Sequence, residues 1–290
     1  SNVVVAIVDT GVAYEDYSPY IRASDLSSLT FVAGYDFIGD DTHPNDDNKH
    51  GTHIAGTITQ TPNNSYGCAR LAFNVKIMPV KVLDAGGNGL TSDIVAGINW
   101  AVEHGADVIN LSLGGPDYSL SLHESVKNAK NNGVIAVCAS GNSNGPVLYP
   151  AAHPESIAVG AIDSSKNRCS FSNYGSKLDF VAPGELIVQE TIKGGGDYST
   201  VFYYASGTSM ACPHVAAIAA LVLSVYPSFS YDGVKNKIIE GCEDLGNSGF
   251  DNYYGYGLIN VYRALGGGAE PVSNVQAFVT RFYQQCLGRE

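Results

Sequence analysis

Positive charge is scarce in this chain. Sixteen lysines and arginines face 28 aspartates and glutamates across 290 residues, for a net charge of −12. That balance argues against nucleic acid as a partner, because phosphate binding needs a basic surface, and it suggests solubility and bound cations. Cysteine is also sparse: six residues (Cys68, Cys138, Cys169, Cys212, Cys242 and Cys286) are too few for a disulfide scaffold. No Cys-x-x-Cys spacing suggests zinc, and the pairing of six cysteines cannot be read from their positions. There is no run of roughly 18 apolar residues free of polar interruption, so no membrane-spanning helix is expected. Ser1 opens directly into a strand-like run, so any targeting segment is expected to have been removed. No Gly-x-Gly-x-x-Gly follows a strand and opens a helix, which argues against a dinucleotide fold. The remaining composition, 44% hydrophobic, suffices for one large core or two small ones.

What the chain does have is one long apolar stretch, residues 203–226, around which the rest can be organised. From Ala211 onward it is apolar on nearly every side for more than three turns, which predicts a helix enclosed by protein. Ser206-Gly207-Thr208-Ser209 stands at its N-terminus, where unpaired N–H groups and the helix dipole favour negative charge. Pro213 is read as lying near the helix start, where a missing N–H costs least.

Continuous apolar runs recur at residues 3–8, 75–82, 108–111, 134–139, 157–162 and 178–181, as expected of parallel strands covered on both faces. Helical patterns lie between them, most clearly at 92–104 and 120–132. The alternation predicts an α/β fold, a parallel sheet sandwiched by helices, with ligands at the carboxyl ends of the strands. Three such ends carry polar residues: Asp9, then Ser112-Leu113-Gly114-Gly115, then Ser140-Gly141-Asn142. A fourth group, His50-Gly51-Thr52-His53, follows an acidic loop and opens a short helix.

Together these supply an acid, an imidazole, a hydroxyl and an amide, the set that acyl transfer needs for base, orienting carboxylate, nucleophile and oxyanion donor. Their order, Asp, His, Ser, is one of three unrelated orders in which the triad occurs. With Ile109-Asn110-Leu111 before Ser112, Ala139 before Ser140, and Gly207-Thr208-Ser209-Met210-Ala211 with Pro213-His214, the chain resembles the subtilisin-like serine proteases from about residue 2 to 264. The resemblance implies Ser209 as nucleophile, His50 as base, Asp9 as its orienting acid and Asn142 as oxyanion donor. His53 and His214 are then structural. It implies two extended edges that clamp a peptide, Ser112-Leu113-Gly114 and Gly87-Asn88-Gly89. The pocket for the residue before the cleaved bond lies between Ser112-Leu113-Gly114 and Ala139-Ser140-Gly141, with Tyr149-Pro150 near its base. Leu113 and Ile94 line a second apolar pocket. No charged residue is placed to select a charge, so a broad endopeptidase favouring large apolar or aromatic residues is expected, with protein and peptide substrates and no nucleic-acid or membrane partner.

Calcium is the implied cofactor, at two places. The loop Pro62-Asn63-Asn64-Ser65-Tyr66-Gly67-Cys68 resembles a family loop that wraps an ion, with Asp25 as its carboxylate and Pro62, Asn64, Tyr66 and Cys68 as further contacts. The sequence opens at the first strand, so the N-terminal arm that usually adds a ligand is not expected to contribute. The second place is the acidic loop at 34–47, with five carboxylates, where Asp36, Asp41 and Asn45 match a family site and Gly39 replaces an acid. A plain turn and a solvated acidic loop are the respective alternatives. Residues 1–265 are expected to form the catalytic domain, and 266–290 a linker and a helical segment at 275–287, a docked helix or the start of a further module. The resemblance further implies a secreted monomer matured from a propeptide. The rival readings are a metallohydrolase built on His50 and His53, which lacks the zincin glutamate, and a catalytically silent peptide-binding domain on the same fold.

Overall fold

The computed structural model describes residues 2–61, 67–68 and 71–267. Pro62, Asn64, Tyr66 and the segment 268–290 therefore lie outside the described residues. In chain order the elements are β1 (Val4–Asp9), β2 (Thr30–Phe31), β3 (Tyr35–Asp36), α1 (His50–Ile58), β4 (Lys76–Lys81), α2 (Thr91–Glu103), β5 (Val108–Leu111), α3 (Leu120–Asn131), β6 (Ile135–Ala139), β7 (Ile157–Ile162), β8 (Phe180–Pro183), β9 (Ile187–Gly194), β10 (Asp197–Ala205), α4 (Thr208–Val225), α5 (Tyr231–Gly241) and α6 (Val261–Ala264). The main sheet is parallel in the order β2-β4-β1-β5-β6-β7-β8, with β3 also paired to β4. Chain order reverses between β1 and β5. At such a switch point a crevice opens beyond the strand ends, and here Asp9 and Ser112 stand at its two sides.

The apolar runs become strands because each is covered on both faces: β5, β6, β7 and β8 are buried throughout. Helix α4 packs against β5, β6, β7 and β8 as well as α1, so it is the core helix that its all-round apolarity predicts. It is also long and apolar enough to cross a membrane, at a mean hydropathy of 1.7, yet 83% of it is buried in the protein and its apolar surface is used by the core.

Two features depart from expectation. Pro213 stands a full turn inside α4, not at its start. Its missing N–H leaves the Ser209 carbonyl without an intrahelical donor, and the Ser112 hydroxyl donates to that carbonyl instead, at 2.9 Å. The second feature is the antiparallel pair β9–β10, which no apolar run announces. Among the described cysteines, Cys68, Cys138, Cys169, Cys212 and Cys242 are all free thiols.

Candidate active site

Asp9 ends β1 with no exposure, and His50 opens α1 beside it. The His50 Nδ1–H donates to Asp9 Oδ1 at 2.7 Å, since an ionised carboxylate can only accept. Nε2 is thereby left as the basic nitrogen. Burial lowers the His50 pKa, but the facing Asp9 carboxylate, with a further contribution from Asp46, outweighs it and raises it above the ordinary imidazole value. Asp9 Oδ1 also accepts from Thr10 N–H at 2.7 Å.

Asp46 is the residue that the sequence reading passed over. Fully buried, it accepts from Thr10 Oγ1, Asn48 N and Lys49 N through one oxygen, and from Thr52 N and Thr52 Oγ1 through the other, all at 2.6–3.0 Å. Burial raises its pKa against these five bonds. It ties the turn after Asp9 to the start of α1. Lys81, equally buried, donates to Thr10 O, Leu83 O and Asp47 Oδ1 and fixes the same turn from below.

Ser209 is the second residue of α4. Its hydroxyl donates to Ser112 O at 3.0 Å, not to His50, and both Ser209 and His50 line the same cleft. Catalytic hydrogen bonds are commonly incomplete before substrate arrives. Asn142 directs Oδ1 at the helix N-terminus, accepting from Thr208 N at 2.8 Å and Thr208 Oγ1 at 3.0 Å. Thr208 N can only donate, so the amide orientation is fixed and Nδ2 faces away. Among the described residues neither Asn142 Nδ2 nor Ser209 N–H makes a hydrogen bond, and both converge beside Gly207: a Cβ there would stand 3.5 Å from one and 3.7 Å from the other. Two unused donors thus share one hollow.

The cleft beside this hollow holds about 640 Å³ and is lined by Gly87, Asn88, Gly89, Ile94, Ser112, Leu113, Gly114, Ala139, Gly141 and Asn142 with His50 and Ser209. Of the expected lining residues Ser140 alone is turned away, its hydroxyl donating to Asn173 O. The 87–89 edge is held open to solvent by Asp84, which accepts from Gly86 N and Asn88 N. Leu148 was not foreseen. Its side chain lies 2.8 Å from where a Gly141 Cβ would stand and 3.5 Å from that of Gly114, so it floors the slot between the two walls. Gly115 and Tyr149 exchange backbone hydrogen bonds that lock floor to wall.

His53 and His214 are structural, as read. His53 Nε2 lies 3.1 Å from both Ile187 O and Tyr203 O, and His214 Nδ1 2.8 Å from Met210 O. Burial holds both imidazoles neutral, their pKa lowered to about 4.

Of the residues expected to hold calcium, Asp36 and Asp41 come together. Their carboxylate oxygens stand 3.1 and 3.3 Å from where a Gly39 Cβ would project, so glycine here keeps the space between them free. Burial raises the Asp36 pKa, despite Gly39 and Ile38 N–H groups donating to it. Asn45 donates to Glu15, and its Oδ1 is buried without a hydrogen-bond partner. The remaining acids of the loop are used elsewhere: Asp46 on α1, Asp47 on Lys81 and Asp40 on Tyr35. Asp25 is buried in a 3-10 turn at 24–26, within contact of Gly67, while the Cys68 thiol donates to Val188 O. No group of three or more His, Cys, Asp or Glu side chains is arranged to hold a metal among the described residues.

Comparison with known proteins places this arrangement. Residues 1–257 match the Subtilase family profile. Subtilisin DY of Bacillus licheniformis is 42% identical over 269 residues, covering 91% of both chains. Subtilisin E of Bacillus subtilis (strain 168) is 43% identical over 272 residues, 91% of this chain and 66% of that one. Among solved structures, a protease from Pseudoalteromonas arctica PAMC 21717 superposes with a TM-score of 0.80 at 30% identity, covering 91% of this chain and 89% of that one. An aspartate, a histidine and a serine meet at the switch point of a parallel sheet, on a sequence this similar to subtilisins throughout: the chain belongs to the subtilase family and is a serine endopeptidase.

Proposed function

We propose that Ser209 is the nucleophile that opens the peptide bond, with His50 as general base and Asp9 as the carboxylate that holds the base in place. The observation that carries this reading is the pair of unused donors, Asn142 Nδ2 and Ser209 N–H, beside Gly207. A substrate carbonyl seated there has its carbon next to the hydroxyl. Ser209 Oγ leaves Ser112 O, gives its proton to His50 Nε2 and bonds to the carbonyl carbon. The oxygen becomes an anion between the two donors, where preorganised N–H groups lower the barrier. His50 then passes the proton to the leaving nitrogen, and water repeats the sequence to release the acyl group. A fluorophosphonate should label Ser209 stoichiometrically. Ser209→Ala should abolish labelling and lower kcat by at least ~10⁴ while the melting temperature holds. Labelling elsewhere, or turnover retained in the variant, would overturn the assignment; a silent binding domain would take up no label.

In the specificity reading, the residue before the cleaved bond enters the slot between Ser112-Leu113-Gly114 and Ala139-Ser140-Gly141 and rests on Leu148. The walls and floor carry no charge, so large apolar residues gain most, at about 25 cal/mol per Å² buried. Ile94 and Leu113 make the second apolar pocket, and the edges at 87–89 and 112–114 bind the peptide backbone as an added strand. Gly114→Val should narrow the slot and move preference toward alanine.

Calcium is proposed at the loop of Asp36 and Asp41, supported by the glycine-kept space between their carboxylates and the unpartnered Asn45 Oδ1. Asp25, with the loop of Pro62, Asn64, Tyr66 and Cys68, is proposed as a second site. An ion there supplies charge compensation that holds loops, not chemistry. EDTA should lower the melting temperature, and Ca²⁺ but not Zn²⁺ should restore it. The further proposals, drawn from family membership, are a catalytic unit at 1–265, a propeptide-dependent maturation, an extracellular site of action and a monomeric state.

A further inference from the structure

The cleft described above serves the acyl half of a substrate. Its lining includes Asn48, His50, Thr208 and Ser209 but neither Lys49 nor Tyr203, although Lys49 directly precedes His50 and Tyr203 leads through Ala205-Ser206-Gly207 into the start of α4. An extended peptide whose acyl residues fill that cleft must leave past His50 and Ser209 on the opposite flank. Lys49 and Tyr203 adjoin that flank through their chain neighbours His50 and Gly207, and the Lys49 Nζ stands 4.4 Å from the centroid of the exposed Tyr203 ring. No carboxylate of the described residues lies within ion-pair distance of it, in a chain of net charge −12 where the lysines at 127, 130, 166, 193, 235 and 237 are paired and Lys76 and Lys177, like Lys49, are not.

The backbone at Lys49 adds a second observation. Its φ is +126°, a region that glycine adopts readily and a lysine does not. The strain is held by the Lys49 carbonyl, which accepts from His53 N–H at 3.1 Å and from Thr191 Oγ1 at 2.5 Å and so is clamped between α1 and β9. Local strain of this kind persists where the surroundings over-determine it and clusters at functional sites. The clamp explains how the conformation is kept, and a cation without an ion pair, set on an aromatic face next to His50, gives the side chain something to do.

We propose that Lys49, steadied on Tyr203, is a specificity residue for the leaving half of the substrate and favours acidic residues just after the cleaved bond. The inference rests on the serine-endopeptidase reading of Ser209 and His50. Its chemistry is a solvent-facing ion pair: the ammonium attracts a carboxylate on the departing segment and repels a basic one, and salt weakens both effects.

The test uses internally quenched peptides identical on the acyl side and carrying Glu, Gln or Lys at the first two positions after the cleaved bond. At low ionic strength kcat/KM should fall in the order Glu, Gln, Lys, with about a fivefold span from Glu to Lys. Near ~1 M salt, where the screening length is about 3 Å, the span should shrink toward unity. Each variant is scored by its own Glu-to-Lys ratio. Lys49→Gly should bring that ratio to about one and also relieve the backbone, and Lys49→Glu should invert it. Equal rates for the three peptides with the wild-type enzyme, a span that survives high salt, or a span that survives Lys49→Gly would each overturn the proposal. The salt series needs no variant, so it decides even if a substitution fails to fold. An anilide substrate with no amino acid on the leaving side separates the two readings. If the wild-type enzyme does not hydrolyse it, the protease assignment falls; if it does and the peptides are not discriminated, only the role of Lys49 falls.

Discussion

Thr208 holds the site together through three bonds. Its N–H and hydroxyl both donate to Asn142 Oδ1, while the hydroxyl accepts from Gly141 N–H at 3.1 Å. Asn142 therefore caps α4 from the loop after β6, which aims Nδ2 into the hollow. Losing a side-chain donor at this place in a subtilisin costs roughly 10²–10³ in kcat, a magnitude taken from that relative. Thr208→Val keeps Asn142 but removes one of its two anchors and leaves Gly141 N–H unpaired. A single hydrogen bond is worth about 1 kcal/mol, so kcat should fall about five- to tenfold with KM within twofold, and Thr208→Ser should restore it. An unchanged kcat would mean that the backbone bond alone positions the amide. The proposed base obeys a separate sign. His50 must be neutral to accept a proton, and its pKa is raised by Asp9 and Asp46 over the lowering effect of burial. The rate should therefore rise with pH through a midpoint above ~6.5, the ordinary imidazole value, and a midpoint below that value in the pH profile of kcat/KM would contradict it.

At the scale of elements, the proposed pairing of His50 with Asp9 depends on how closely α1 approaches the turn after β1. A Cβ on Gly51 would come 2.1 Å from Gly11 O, a distance that forces the backbones apart. Gly11, at a φ of +99°, is itself pressed against Asn45 O, so the turn cannot retreat. Gly51→Ala should destabilise by about 1–3 kcal/mol as an overpacked contact, and displacement of His50 by ~1 Å should lower kcat about 10²-fold. Thermal melts and kcat from one preparation check both, and a stable variant with full turnover would show that the approach is looser than these distances imply. The elements differ in how far the sequence announces them. Strands β1 and β5–β8 are legible because burial on both faces leaves an unbroken apolar run, and α4 because it is apolar all round. The β9–β10 pair is hidden because Gln189, Glu190 and Thr191 are buried polar residues whose partners lie far off in the chain: Gln60 and Thr57, Ser24 and Asp25, and Lys49. A related cause hid Asp46 and Leu148, since only the fold brings Thr10 to the one and Gly114 to the other. By contrast, Asp9, His50, Asn142 and Ser209 sit in short motifs at or just beyond element ends, where a local reading picks them out.

For the whole molecule, α4 is both the centre of the core and the carrier of Ser209, so what titrates within it reports on the entire fold. His214 lies there with about 1% exposure, its pKa lowered to about 4 by burial. In the unfolded chain an imidazole takes up a proton near pH 6.5. Between pH 6.5 and 4 the unfolded state thus binds a proton that the folded state refuses, so stability present above 6.5 is lost as pH falls toward 4. His53 adds in the same direction. Asp36, Asp46 and Asp179 oppose it, because burial raises their pKa values and the folded state then binds protons more readily than the unfolded one. The two groups act together in any single acid titration, so wild-type data alone do not separate them. A difference measurement does, because the carboxylates are common to both proteins and cancel. His214→Gln removes the one ionisation and retains a side chain able to bond Met210 O. Relative to this variant the wild type should lose up to about 3 kcal/mol between pH 6.5 and 4, followed by denaturant unfolding at fixed temperature with Ser209 blocked against autolysis. Parallel curves for the two proteins across that window would mean that His214 is protonated within the fold, and that the centre of the core is open to water.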